Sequence, residues 1–312
     1  MKTGDVTGGT NSAGVDQSVF AMPEGMTIRY DKPTDDLTNL VTGYHVYGAR
    51  GAALEGQVDW FLPATANVRF AFDAGPISIA IGRRSFPAMP SAALFGPTSI
   101  ALKAQSHGGV MVGFGVSALG WSRFFHRPAH SYRNMIVPFD QACDPDFAHD
   151  LEARLAAAEH EGEVAAILDA ALIDRLGPPH PDEPLILHLM AIIGRDGATD
   201  IRMVANELGI TTDALRRLSV RHFGFTPKML LRRARFLRSF LRMFRTREVV
   251  DYSAIDPSYF DVSHFLRDAN TFLGTTPRRF MARSTPFLDA SLRARAAVLG
   301  APTQALHLVT VR

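Results

Sequence analysis

Between Met26 and about Pro138 the apolar positions fall in short runs rich in Val, Ile, Phe and Thr, each closed by Gly or Pro. Val41 to Tyr47, Ala66 to Phe72, Ile77 to Gly82, Ser99 to Ala104 and Val110 to Val116 read as strands of a mainly β domain, a sandwich or a barrel. The period then changes. Leu151 and Leu155, and after them Val164, Ile167, Leu168, Ala171 and Leu172, recur at the spacing of one helical face, which predicts helices over Asp150 to Ala158 and Glu163 to Leu176. Gly177 and the Pro-rich run from Pro178 to Pro184 read as a linker, and Leu185 to Ile193 as the first helix of a second domain.

The second domain carries a repeat. Arg217 and Arg267, Gly224 and Gly274, Thr226 and Thr276, Pro227 and Pro277, and Arg233 and Arg283 are identical pairs at one offset of fifty positions, joined by Leu215 with Phe265 and Lys228 with Arg278. Each copy is too short to bury a core of its own, so two small helical units must pack together or share a helix. In the first copy, Asp200 caps a helix with Ile201, Val204, Ala205 and Leu208 inward, and Gly209 ends it. Thr211 caps a second helix from Thr212 to His222, with Leu215 and Leu218 inward and Asp213, Arg216, Arg217 and Arg221 outward. Two short helices about a Gly turn form a helix-turn-helix, whose second helix is shaped for the major groove of DNA.

The second copy is irregular from Thr246 to Tyr259, where Asp256 and Pro257 replace the Gly turn. Its second half has Asp261 as N-cap, Phe265 inward, and Val262, Ser263, Leu266 and Arg267 outward. Between the copies, Pro227 to Arg245 reads as one long helix. Leu230, Leu237, Leu241 and Phe244 form its apolar face, and Arg235, Arg238, Arg242 and Arg245 are either phosphate contacts or a structural and solvated face.

The run from Tyr259 to Asp268, followed by Leu273 to Pro277, resembles the second helix-turn-helix signature of AraC/XylS-type transcription regulators, and the first copy is similar to the first. The resemblance covers roughly residues 195 to 283. It implies a regulator that sets two recognition helices in successive major grooves, with DNA contacts at Thr212, Asp213, Arg216, Arg217, Val262, Ser263, Leu266 and Arg267. It also implies a sensor or dimerisation role for the N-terminal domain. Asp213 on a DNA-facing surface is repelled by phosphate unless it accepts from a cytosine amino group.

Charge agrees with this division. Residues 1 to 194 hold 13 Lys/Arg and 21 Asp/Glu, a balance of −8, and residues 195 to 283 hold 17 and 9, a balance of +8. Polyanion binding is therefore expected in the second part alone. The first twenty residues, rich in Gly, Ser, Thr and Asn, read as disordered, and no segment approaches the roughly 20 continuous apolar residues of a membrane span. The lone Cys143 excludes an internal disulfide and is expected to be an ordinary packed or surface thiol in a cytoplasmic protein.

Catalytic signals are weak. His45, His107, His126 and His130 form no paired metal motif, and Gly113 and Gly115 lie inside a strand with no following helix, so bulges or close backbone approach explain them better than a dinucleotide site. No catalytic residue, cofactor or metal is expected. The fold class is α+β: a β-rich N-terminal domain followed by an all-α domain of two helix-turn-helix motifs. Residues 1–20 are a disordered segment, 21–180 the sensor or dimerisation domain with its C-terminal helices, 185–284 the DNA-binding domain and 285–312 a tail, with a helix over Phe287 to Leu299 and a strand over Ala305 to Val309. The expected function is that of a sequence-specific, effector-responsive regulator of double-stranded DNA, with no membrane partner; RNA polymerase and a second copy of the chain are compatible partners. An enzyme in the β domain and a ligand-independent DNA binder remain the alternatives. A fragment from about Leu185 to Arg283 is expected to bind DNA unaided.

Overall fold

The computed structural model describes residues 6–51, 55–195, 197, 200–246 and 251–309. Its first half holds ten strands, β1 (Met26–Asp31), β2 (Val41–Ala49), β3 (Gln57–Phe61), β4 (Ala66–Phe72), β5 (Ser78–Ile81), β6 (Arg84–Phe86), β7 (Ala92–Phe95), β8 (Leu102–Ser106), β9 (Gly109–Val116) and β10 (Ile136–Pro138). They form a six-stranded sheet, β1-β2-β9-β4-β7-β10, and a four-stranded sheet, β3-β8-β5-β6, and every strand pair is antiparallel. The expected mainly β domain is therefore two facing sheets.

Alternation along β4 sorts the two faces of the larger sheet. Val68 and Phe70 point to one side, into a core shared with Val46, Val112, Phe114, Leu151, Leu155, Leu168 and Leu172. That side is covered by helices α1 (Ala118–Phe124), α2 (Pro145–Ala157) and α3 (Val164–Asp174). The other side meets the smaller sheet, where Ile79, Ile81 and Leu102 pack against Ala93 and Phe95. Because both faces are covered, all nine residues of β2 are buried.

The second half is helical: α4 (Glu183–Gly194), α5 (Ile201–Glu207), α6 (Thr212–Phe223), α7 (Pro227–Thr246), α8 (Val262–Leu273), α9 (Pro277–Met281) and α10 (Pro286–Leu299). The largest core runs unbroken from Val41 and Phe114 of the sheet through Leu189 of α4 and Leu215 of α6 to Phe236 of α7 and Phe272 of α8. Thr199, which opens the repeat region, and residues 247–250 of its second copy lie outside the described residues. Among the described residues no helix is long and apolar enough to cross a membrane.

Two expectations are corrected. From residue 6 onward the N-terminal segment is not disordered: Val6 is buried, and the Thr7 and Gly8 amides donate to the buried Glu161 carboxylate at 3.0 and 2.8 Å. One buried acceptor, together with the buried Val6 and Phe20, thus orders a stretch whose composition is mostly small and polar. In the tail, the helix stands but the strand does not, because residues 304–306 form a 3-10 turn. That turn is tied to β4, where the Asn67 and Gln304 amides exchange two hydrogen bonds of 2.7 Å.

Candidate nucleic-acid interface

The Gly, Thr and Pro members of the fifty-residue repeat, and the N-caps at the same offset, have structural tasks. Thr211 caps α6, accepting from the Ala214 amide at 3.1 Å, and Asp261 caps α8, accepting from His264 at 2.6 Å. Both helices end on a left-handed glycine, Gly224 at φ 82° and Gly274 at φ 70°, a conformation that costs any residue with a Cβ about 1–2 kcal/mol. Thr226 and Thr276 then cap the following helices, and Pro227 and Pro277 occupy their first positions, where no amide donor is missed. Leu215 and Phe265 are fully buried. The helix-turn-helix ends are thus written twice by the same capping chemistry.

The outward faces follow. Thr212, Asp213, Arg216 and Arg217 on α6 are exposed, as are Val262, Ser263 and Arg267 on α8. Among the described residues no carboxylate pairs with Arg216, Arg217 or Arg267. Leu266 is the exception: it is half-buried against the large core, so only part of it faces outward. One residue escapes a reading by periodicity. Phe260, next to the α8 N-cap, is 94% exposed, although the adjoining Tyr259 is buried. The aromatic pair before an N-cap is visible in the sequence, but which ring turns outward is decided by Asp268, which takes the Tyr259 hydroxyl at 2.9 Å.

The first unit has the helix, Gly209 turn and helix expected, with Gly209 at φ 65°. In the second, the described residues before α8 hold a 3-10 turn, Tyr252–Ala254, and Asp256 takes the place of the glycine turn. Asp256 is buried; its amide donates to Ser239 Oγ of α7 at 3.0 Å, and its carboxylate accepts from the Ser258 amide at 2.9 Å. The irregular turn is therefore anchored to α7 by side chains.

The arginines of α7 divide between roles. Arg235 is buried, its guanidinium 4.0 Å from the Tyr259 ring centre and 3.4 Å from Asp268, and Arg238 donates to the Ile193 carbonyl at 3.0 Å. These two hold the helices together. Arg242 and Arg245 are exposed. With 20 residues, α7 is about 30 Å long, close to the roughly 34 Å repeat of the major groove.

The same repeat positions meet the β part. Arg233 is buried and donates to the carbonyls of Thr98 at 2.8 Å and Ala64 at 3.3 Å; its repeat partner Arg283 lies 3.6 Å over the Trp60 ring. Gly224 abuts Pro97, Gly274 abuts Ile100, and the Ala101 amide donates to the Phe272 carbonyl at 2.7 Å. Residues 97–101 therefore run across the ends of both α6 and α8.

Elsewhere, His180, Asp182 and His222 are the one group among the described residues with metal-ligand spacing. Their polar atoms are engaged within the chain: His180 Nδ1 accepts from the Asp182 amide at 3.0 Å, and His222 Nε2 lies 3.2 Å from Asp182. Burial holds the His222 imidazole below its usual range, against the pull of Asp182. Cys143 is half-buried, and burial pushes its thiol up to about 12, which leaves it unreactive. Of the histidines weighed in the β part, His45 is buried in the sheet. Gly113 and Gly115 are sites of close approach, where an added Cβ would stand 2.5 Å from the Val68 carbonyl and 2.1 Å from Thr42 Oγ1.

No family model and no curated protein sequence matches the chain. Among solved structures, ToxT from Vibrio cholerae is similar at 12% identity over 76% of this chain and 97% of that one, with a TM-score of 0.41. A ToxT structure with an unsaturated fatty acid bound is similar at 9% identity over 73% and 91%, TM-score 0.39. The AraC-like transcriptional activator CuxR is similar at 14% identity over 72% and 83%, TM-score 0.29. In the order of its parts, the β strands come first in this chain and the two repeated helical units after.

Proposed function

We propose that the chain is a sequence-specific DNA-binding transcription regulator of the AraC/XylS type, acting in the cytoplasm on double-stranded DNA. Residues 185–284 are the DNA-binding unit and residues 21–180 the effector or dimerisation unit. One observation carries the reading: α6 and α8, capped alike at a fifty-residue offset, both expose arginines that no carboxylate among the described residues neutralises. Arg216, Arg217 and Arg267 are of the length and chemistry to donate in pairs to guanine O6 and N7, while Thr212 and Ser263 at the helix starts suit phosphate or base edges. Asp213 suits a cytosine amino group. The segment 97–101, which touches the ends of both helices, is the route by which an effector in the β part would alter their setting.

The test is selection of genomic fragments with the full chain, followed by anisotropy titration at several salt concentrations. Arg267→Ala should relax preference at one or two adjacent base pairs, by about 1–3 kcal/mol of discrimination. Arg242→Ala should weaken all sequences alike and flatten the salt slope. Equal, sequence-blind losses from the two substitutions would remove α8 from base reading.

A further inference from the structure

β4 reads as an apolar strand, yet Asn67 and Arg69 are buried on its inner face, the one turned away from Val68 and Phe70. Strand register explains the room they find. His45 and Arg69 flank Gly113 in one row across β2, β9 and β4, and Gly43 and Asn67 flank Gly115 in the next. The glycines leave room for the His45 and Gln304 side chains, and beside them a cavity of about 70 Å³ lies between the larger sheet and α10, bounded by Tyr30, Tyr47, Asn67, Arg69, Ser291 and Arg295. Arg295 comes from α10, after the repeat region, and is 2% exposed.

Its three guanidinium nitrogens find no hydrogen-bond partner among the described residues, and neither does Nε of Arg69. No carboxylate lines this cavity. Burial lowers Arg295 to about 10, which still leaves it charged at neutral pH, and His45 beside it is held neutral by burial and by the two arginines. Tyrosine rings and hydroxyls surround Arg295 without neutralising it: Tyr30 OH lies 2.6 Å from Tyr47 OH and 2.7 Å from Ser291 Oγ. A buried guanidinium with no counter-ion is costly, and in a folded chain it signals an anion to be received.

A second cavity of about 70 Å³ shares Tyr47, Phe61, Arg69 and Phe95 with the first. Its remaining walls are mostly apolar, Ile77, Ile79, Met89, Met111 and Phe287 among them, with one carboxyl, Asp59. A chamber with two cations thus adjoins a more apolar one across Arg69. That pairing matches an anionic head on an apolar body, and the planar guanidinium fork matches a carboxylate. We propose that this double chamber binds a small monocarboxylate, its head between Arg295 and Arg69 and its apolar body among Ile79, Met111 and Phe287. α10 is then the wall that closes the effector site, which gives the C-terminal segment its function. The proposal rests on the reading of the β part as the effector unit, and it goes further by naming the ligand class and the residues.

The experiment uses the full chain in thermal-shift and calorimetric titrations with hexanoate and phenylacetate, the matched amides hexanamide and phenylacetamide, and inorganic phosphate. The acids should raise the melting temperature and bind at least about 10-fold more tightly than the amides, the worth of one charge-assisted hydrogen bond. Arg295→Met should abolish the acid response and, with an unpaired buried charge removed, melt no lower than the parent chain without ligand. If that variant does not fold, Arg295→Lys should weaken the acid without changing the amide. An amide response equal to the acid's, an acid response that survives Arg295→Met, or phosphate binding more tightly than hexanoate overturns the proposal. Salt-sensitive DNA binding is measured in parallel. DNA binding without an acid response refutes the carboxylate site alone, and an acid response without DNA binding refutes the regulator alone.

Discussion

Asp268 is the residue whose loss should most disturb α8. It sits on α8 with 0% side-chain exposure and accepts from Arg232 Nε at 3.2 Å and Arg235 Nη2 at 3.4 Å, both on α7, and from the Tyr259 hydroxyl at 2.9 Å. Asp268→Asn keeps the shape and removes the anion. Arg235, with its side chain 9% exposed, then loses its carboxylate hydrogen bond and keeps Ser258 Oγ and His264 Nε2, each at 3.4 Å. Breaking a buried pair from one side costs about 3–5 kcal/mol. Arg232 is 33% exposed and can turn to water, which places the expected loss near the lower end, about 3 kcal/mol. Urea unfolding at neutral pH measures it, and amide exchange should show α8 opening before α7. Because α8 carries Val262, Ser263 and Arg267, specific DNA binding should fall while the phosphate-driven part persists. Replacing the pair by apolar residues, Asp268→Leu with Arg235→Met, should recover part of the stability. A loss below about 1 kcal/mol from Asp268→Asn would refute the assignment of this cluster as the tie between α7 and α8.

The paired glycines offer a comparison within one molecule. Gly224→Ala and Gly274→Ala each incur the left-handed cost of about 1–2 kcal/mol, but a Cβ at Gly224 would stand 2.6 Å from the Pro97 ring and one at Gly274 3.4 Å from the terminal carbon of Ile100. Gly224→Ala should therefore be worse by about 1–2 kcal/mol in the same urea assay, and equal losses would mean that the contact with residues 97–101 is loose. Asp59 sets a pH dependence. Burial raises its carboxyl from 3.8 to about 7, against amide hydrogen bonds that include Phe287 at 2.8 Å. A folded value above the unfolded one means that the native chain holds the extra proton, so this stability is complete below pH 3.8 and lost as pH rises to about 7, by up to roughly 4 kcal/mol. Asp59→Asn should gain on the parent chain as pH rises from 4 to 7 in paired thermal melts; a constant difference would place the titration elsewhere.

The sequence alone determined the local chemistry of the helical half. A left-handed glycine, a Thr cap and a Pro at a first helical turn are requirements of backbone geometry that few residues meet, so their recurrence fifty positions apart located α6, α8 and, Leu266 excepted, their outward residues. Short apolar runs closed by Gly or Pro located β2, β4, β5, β8 and β9, but β1, β3, β6, β7 and β10 were not read out. β6, β7 and β10 span only three or four residues each, too few to show a period of their own. Only the tertiary structure decided what lies far apart in the chain and close in space. It set Arg235 on Asp268 and Arg238 on a carbonyl, where periodicity left a choice between phosphate and structure. It joined the sheet and the helices in one core, so that a fragment from Leu185 to Arg283 would bare the faces that Arg233 and Arg283 dock. It also folded α10 back on β1 and β2, bringing Arg295 to Arg69 across more than two hundred residues. Caps and turns are local and legible; a cavity is made by long-range packing, and its two charges declare themselves only when nothing nearby is found to neutralise them.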